Sequence, residues 1–475
     1  MLIFDSLYRI KIMSETTQNQ SKINRSVIIF ILAVILFFIL LNTLPFDRNA
    51  NSGLALLALV AILWLTEALH VTITALIVPL MAIFLGLVKT STALATFADP
   101  NIFLFFGGFA LATALHIQQL DKMIANKIMT LAKGNLFVAV IYLFSVTAFL
   151  SMWVSNTATA AMMLPLAMGV LSRLDRKEQH NTYLFVLLGI AYSASVGGMG
   201  TLVGSPPNNI VATQLHLTFA DWLWYGLPIM TILMPIMIGT LYIVFKPKLH
   251  VHFEQQFEKV EMTKKRWITL GIFVFIALSW VFSSQINPIL SATLGLEGKI
   301  TSFDSVIALS AAVIICVSGV ANWKQIQEST DWGVLMLFGG GLTLSAVLKN
   351  SGASKILADG IVFLIEGGNF YLIGLLVAAF IIFLTEFTSN TASAALLVPI
   401  FISIAQSLGM PEIGLALIIG LGASCAFMLP VATPPNAIVF GTGEVKQSEM
   451  VRAGVILNIV CVFVIATFGY LFWLN

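Results

Sequence analysis

Ser155-Asn156-Thr157-Ala158-Thr159 returns as Ser389-Asn390-Thr391-Ala392-Ser393, and each copy sits deep inside a strongly apolar stretch. Hydroxyls and carboxamides side by side offer donors to an anion and oxygen acceptors to a hard cation. Polar residues at membrane depth are expensive, and unwound backbone is tolerated there only where it lines a cavity. A second motif is also doubled: Ser205-Pro206-Pro207-Asn208 answers Thr433-Pro434-Pro435-Asn436. One such motif could serve only as glue between helices. Four, as two matched pairs in the same order, point to a carrier built from repeats that moves a solute across a membrane.

The chemistry open to these groups divides by charge. Each Pro-Pro removes two N–H donors and blocks continuous helix, so 182–216 and 413–443 are each expected to be a broken helix. Gly197, Gly198, Gly200 and Gly204 surround the first break and permit unusual backbone there. Helix N-termini, with free N–H groups and a positive dipole end, suit carboxylates or other oxyanions. Orphan carbonyls, hydroxyls and Asn side-chain oxygens suit a hard cation such as sodium. No Arg or Lys falls inside either constellation. A buried anion must then be neutralised by something else, and co-bound sodium is the natural candidate, which gives a physical route to coupling.

The elements that must hold these groups follow from composition. Hydrophobic residues make up 59% of the 475 and charged residues 10%, far from the balance of a soluble domain. Apolar blocks of about 17–25 residues alternate with short charged connections, giving room for roughly ten bilayer crossings. A net charge of +2 and the absence of a long basic run exclude a nucleic-acid partner. The expected organisation is a cytoplasmic leader over 1–26, a first helix and first repeat over 27–245, a cytoplasmic linker over 246–266, and a second repeat over 267–475. The leader carries Arg9, Lys11, Lys22 and Arg25 without an apolar run, unlike a cleaved signal peptide. Two apolar blocks, 136–172 and 371–408, are interrupted at mid-length by the Ser-Asn-Thr motifs and read as re-entrant hairpins. Counting crossings from a basic leader inside keeps Arg173, Arg176, Lys177 and the segment Lys246–Arg266 on the cytoplasmic side. Phe106-Gly107-Gly108 matches Phe338-Gly339-Gly340, and the count gives these two segments opposite directions, hence inverted repeats.

Other residues carry less. Glu67 and Glu386 lie at or inside apolar segments, where each could bind a proton or be a hydrogen-bonded acid. His70 reads as interfacial, and His250 and His252 have no partner cysteines. Cys316, Cys425 and Cys461 lie in apolar segments without metal-like spacing and read as small hydrophobes. The membrane segments hold no His-Glu-x-x-His, aspartate-rich pair or Gly-x-Ser-x-Gly, so no enzyme is expected.

The paired Ser-Asn-Thr and Pro-Pro-Asn motifs resemble those of the divalent-anion/sodium symporter family of di- and tricarboxylate transporters. So do Trp64-Leu65-Thr66-Glu67-Ala68-Leu69, Thr72-Ile73-Thr74-Ala75-Leu76 and the run from Cys425 to Gly441, while His70 stands where the family usually has proline. The resemblance covers the chain from about residue 27 onward. It implies an all-α polytopic membrane protein with about eleven transmembrane helices plus two re-entrant hairpins. It further implies a homodimer, with a scaffold domain and a transport domain that moves like an elevator. Substrate carboxylates would meet Ser155, Asn156, Thr157, Ser389, Asn390 and Thr391, with Ser205 and Thr433 nearby. One sodium would take oxygens from Ser151, Ser155, Asn156 and Gly204, and a second from Thr385, Thr388, Asn390 and Ala432. Two intact tips favour a substrate with two carboxylates. The expectation is a sodium-coupled importer of C4-dicarboxylates (succinate, malate, fumarate) in the inner cell membrane, without an organic cofactor. A sodium-independent dicarboxylate exchanger, or citrate or sulfate as substrate, stays open.

Overall fold

A computed structural model describes residues 25–172, 174–250, 261–365 and 369–474. The expected leader, apart from its last two residues, and the centre of the expected linker lie outside the described residues, as does Arg173. Among the described residues every regular element is helical.

Polar residues open the helices that the apolar runs form. Asp47 accepts from the backbone N–H groups of Asn49 and Ala50 ahead of Arg48–Thr66. Thr218 and Asp221 form a reciprocal capping box at the head of Phe219–Phe245, satisfying donors that have no partner within the helix. Among the described residues, seven helices are long and apolar enough to span a bilayer alone, and eight if Lys264–Val281 and Ser283–Thr293, bent by 95°, count as one. That is fewer than the crossings expected from apolar run length. One reason is local: of the four pieces into which the two interrupted blocks are split, three are too short, and only Asn390–Ser407 qualifies alone. Leu136–Ser151 and Asn156–Leu171 have 16 residues apiece, or about 24 Å of helix against a hydrocarbon core of about 30 Å. Phe370–Leu384 has 15 and Asn390–Ser407 has 18. The broken helices are His180–Gly198 with Pro206–Leu215, and Glu412–Gly422 with Pro434–Phe440. The helix Ala353–Ile365 falls in a stretch to which hydropathy assigns no element.

Elements of the two halves pack reciprocally. Phe303–Val317 lies along Pro100–Ile117, while Trp332–Asn350 lies along Val71–Phe84. Pro206–Leu215 packs on Asn390–Ser407 of the second hairpin, and Pro434–Phe440 packs on Asn156–Leu171 of the first. Glycine permits the closest approaches: a Cβ at Gly107 would overlap the Ala308 backbone, and one at Gly340 would overlap Ala75. Gly107 therefore pairs in role with Gly340. The sequence match of Phe106-Gly107-Gly108 to Phe338-Gly339-Gly340 is shifted by one residue, because three consecutive glycines leave the register open and only the packing partner fixes it.

Burial separates the centre from the rim. Residues 182–198 of the first broken helix are all buried, whereas few residues of Arg25–Thr43 and Phe219–Phe245 are buried. An all-apolar helix that stays exposed has lipid as its solvent.

Candidate functional site

Both Ser-Asn-Thr turns, which the sequence marks as hairpin tips, and both helix breaks converge on one cavity of about 360 Å³. Ser155, Asn156, Thr157, Ser205, Ser389, Asn390, Thr391 and Thr433 all line it, as do Gly204, Thr388 and Ala432. Ser151 and Thr385 lie fully buried behind the tips. Four helix N-termini open here, at Asn156, Pro206, Asn390 and Pro434. A proline at the first helical position costs no hydrogen bond, because that N–H has no partner within the helix anyway.

The tips are held in matching ways. Ser155 Oγ accepts from the Ala158 N–H at 3.3 Å, and Ser389 Oγ accepts from the Ala392 N–H at 3.3 Å. Ser151 Oγ lies 2.6 Å from Asn156 Oδ1 and 2.7 Å from the Ala194 carbonyl oxygen. Thr385 Oγ1 lies 2.5 Å from Asn390 Oδ1 and 3.1 Å from the Ala423 carbonyl oxygen. The Oδ1 position of Asn156 faces oxygens: besides Ser151 Oγ it is 3.1 Å from the Ala194 carbonyl and 3.2 Å from the Gly204 carbonyl. With the amide turned over, its NH₂ donates to all of them. With the oxygen inward, the same cluster offers a hard cation four oxygens.

Sequence reasoning missed Ala194 and Ala423, since a backbone carbonyl leaves no trace in residue type. It also left Ser393 out of the second cluster, where Thr388 Oγ1 lies 2.8 Å from Ser393 Oγ. The asparagines of the Pro-Pro-Asn motifs turn out to hold the breaks themselves. Asn208 Nδ2 donates to the carbonyls of Gly198 (2.8 Å) and Thr201 (2.7 Å), and Asn436 Nδ2 to those of Ala426 and Leu429 (both 3.0 Å). Their amides are thereby taken up by carbonyls that the missing helix turns would have satisfied.

Among the described residues no Lys, Arg or His lines the cavity, but Glu67 and Asp331 do. Glu67 ends Arg48–Thr66 in a left-handed conformation at φ 49°, and Asp331 caps Trp332–Asn350 by accepting from the Val334 N–H at 3.1 Å. Phe105, Phe109, Trp153, Val203, Val334 and Val431 supply apolar wall. Glu386, by contrast, is fully buried and hydrogen-bonded away from the cavity. His70 is a helix cap, its ring nitrogen accepting from the Thr72 N–H at 3.3 Å. Helix N-termini and hydroxyls are groups that can donate hydrogen bonds to an anion without a basic side chain.

Comparison with known proteins gives the same direction. The family described as the sodium:sulfate symporter transmembrane region matches residues 19–475. An "uncharacterized transporter" of Haemophilus influenzae is 77% identical over 448 residues, covering 94% of this chain and 97% of that protein. The sodium-dependent dicarboxylate transporter SdcS of Staphylococcus saprophyticus is 30% identical over 495 residues, covering 96% and 93%. Among solved structures, the YdaH transporter of Alcanivorax borkumensis shares the fold, with a TM-score of 0.56 at 14% identity over 81% of this chain and 88% of that one. The chain therefore belongs to the divalent anion:sodium symporter family of membrane transporters.

Proposed function

We infer that this protein is a sodium-coupled symporter that imports C4-dicarboxylates such as succinate, malate and fumarate across the inner cell membrane. The observation that carries this reading is the cavity's charge design: four helix N-termini and the two Ser-Asn-Thr tips face one volume that, among the described residues, no basic side chain lines. Each carboxylate of a dianion meets one tip, at Ser155, Asn156 and Thr157 or at Ser389, Asn390 and Thr391. Ser205 and Thr433 add hydroxyls. The first sodium takes Ser151, Ser155, Asn156 and Gly204; the second takes Thr385, Thr388, Asn390 and Ala432. The oxygen cluster around Asn156 supports the first of these sets, and the matching Thr385–Asn390 geometry supports the second.

Without the cations, burying the dianion is too costly, so anion and sodium travel together. In this reading the chain forms a homodimer of about eleven-span protomers with a cytoplasmic N-terminus, and alternating access comes from elevator-like movement of a transport domain against a scaffold. The reciprocal packing between halves supports two related arrangements of one chain. Radiolabelled succinate uptake into proteoliposomes tests the reading, with sodium outside against potassium or choline outside. Accumulation only with inward sodium is the expected result. Uptake that ignores sodium but needs internal dicarboxylate would make the protein an exchanger. Sulfate or citrate uptake in place of succinate would overturn the substrate class.

A further inference from the structure

Glu386 follows Thr385 at the second hairpin and is fully buried. Its Oε1 accepts from the N–H groups of Phe427 (2.6 Å) and Met428 (2.8 Å) and from Asn458 Nδ2 (2.6 Å). Its Oε2 accepts from the Leu429 N–H at 3.1 Å. Among the described residues four donors and no acceptor hydrogen-bond to the group, which is the setting of a carboxylate. Yet Glu386 enters none of the ion pairs formed among the described residues. A buried charge is retained only with a compensating partner, and no protein cation supplies one here.

The first hairpin lacks the group altogether. Ser151-Met152 stands where the second has Thr385-Glu386, and the first break is braced by neutral contacts. Thr201 Oγ1 donates to the Met152 carbonyl at 2.5 Å, and Trp222 Nε1 to the Met199 carbonyl at 3.0 Å. The two oxygen clusters are thus alike in their Ser/Thr, Asn and Ala-carbonyl groups and unlike in formal charge nearby.

We propose that Glu386 is the fixed countercharge of the cation held at Thr385 and Asn390, so that this cluster binds sodium more tightly than the Ser151–Asn156 cluster and fills first. Glu386 does not touch the cation. It acts through the field of a carboxylate one residue from Thr385 and through the 427–429 loop that leads to Ala432 and Thr433. This rests on the sodium-coupled reading above and adds an order to its two cation sites.

The test is the sodium dependence of succinate uptake by the full-length protein in proteoliposomes, with sodium-dependent thermal stabilisation of the purified protein as a second readout. Glu386→Gln keeps the shape and removes the charge. It is expected to raise the half-saturating sodium concentration about tenfold, the scale of losing one buried charge, while succinate KM at saturating sodium stays within about twofold. Asn458→Leu removes a neutral brace and keeps the charge, and it should shift half-saturation less than about twofold. An unchanged sodium dependence in Glu386→Gln, or equal shifts in both variants, would overturn the countercharge role. Should Glu386→Gln not fold, Thr385→Ala and Ser151→Ala test the order directly: the first should remove the tighter component of sodium stabilisation, the second the weaker. The reverse assignment would overturn the proposal. Wild-type uptake indifferent to sodium would instead bring down the coupling itself, a result visible before any variant is made.

Discussion

At the first break, over 199–205, Gly198 and Gly204 crowd together and against Asn156; at the second, over 423–433, Ala426 and Ala432 occupy the corresponding places. A Cβ at Gly198 would stand 2.5 Å from Asn156 Oδ1 and 3.0 Å from the Gly204 carbonyl oxygen. The first break thus brings oxygens together by bare backbone approach, while the second is longer, carries methyl groups, and is held from outside by Glu386 and Asn458. What the two share is the Asn staple, which reaches back 10 and 7 residues in both copies. Each repeat therefore keeps the hydrogen bonds that make an interrupted helix tolerable in lipid, and it is free to vary the means of shaping the site. Similar geometry does not make equal sites.

The comparison can be broken first at the tips. Asn156→Ala and Asn390→Ala should each lower succinate uptake about a hundredfold or more, since each removes an amide placed to serve both ions. Gel filtration should still show the wild-type assembly, and wild-type rates from both variants would remove the tips from the mechanism. Next come the glycines that set the packing register. Gly107→Leu and Gly340→Leu should each destabilise the fold by about 3 kcal/mol or more, because backbone on the facing helix cannot give way. Gly239, with nothing near a built Cβ, is the control whose change to Ala should leave the melting temperature unmoved.

The contrast between breaks is sharpened by a third pair. Gly198→Ala should cut uptake about tenfold or more, while the reciprocal Ala426→Gly should stay within about twofold, costing only the backbone entropy of one glycine. Equal effects would mean that the close approach at the first break has no functional weight. The staples are read in stability rather than in uptake. Asn208→Ala and Asn436→Ala each leave buried carbonyls without donors, a loss of about 1–3 kcal/mol apiece in thermal unfolding. The expected ranking of these two is even, because both staples make two bonds of ordinary length.

Much of this site was legible from residue types. Ser155 and Ser389 cap helices in the structure as their position before Asn-Thr suggests. Pro206 and Pro434 start helices rather than merely kinking them. Hydropathy was weaker where polar and apolar residues mix, as at Ala353–Ile365. It overstated the single spans because a run of apolar residues records burial in lipid or protein and says nothing of where the chain turns back.

The sequence alone determined that the chain is a helical membrane protein with two doubled polar interruptions. It did so because lost N–H groups at proline and the cost of polar atoms in lipid are local properties of each segment. Only the tertiary structure decided that the Ala194 and Ala423 carbonyls accept from Ser151 and Thr385 behind the two tips, that Glu386 lands on the loop 41 to 43 residues further along, and that Gly107 answers Gly340. Those are meetings between distant segments. Backbone oxygens and packing registers are the same in every residue type, so only the folded chain assigns their partners.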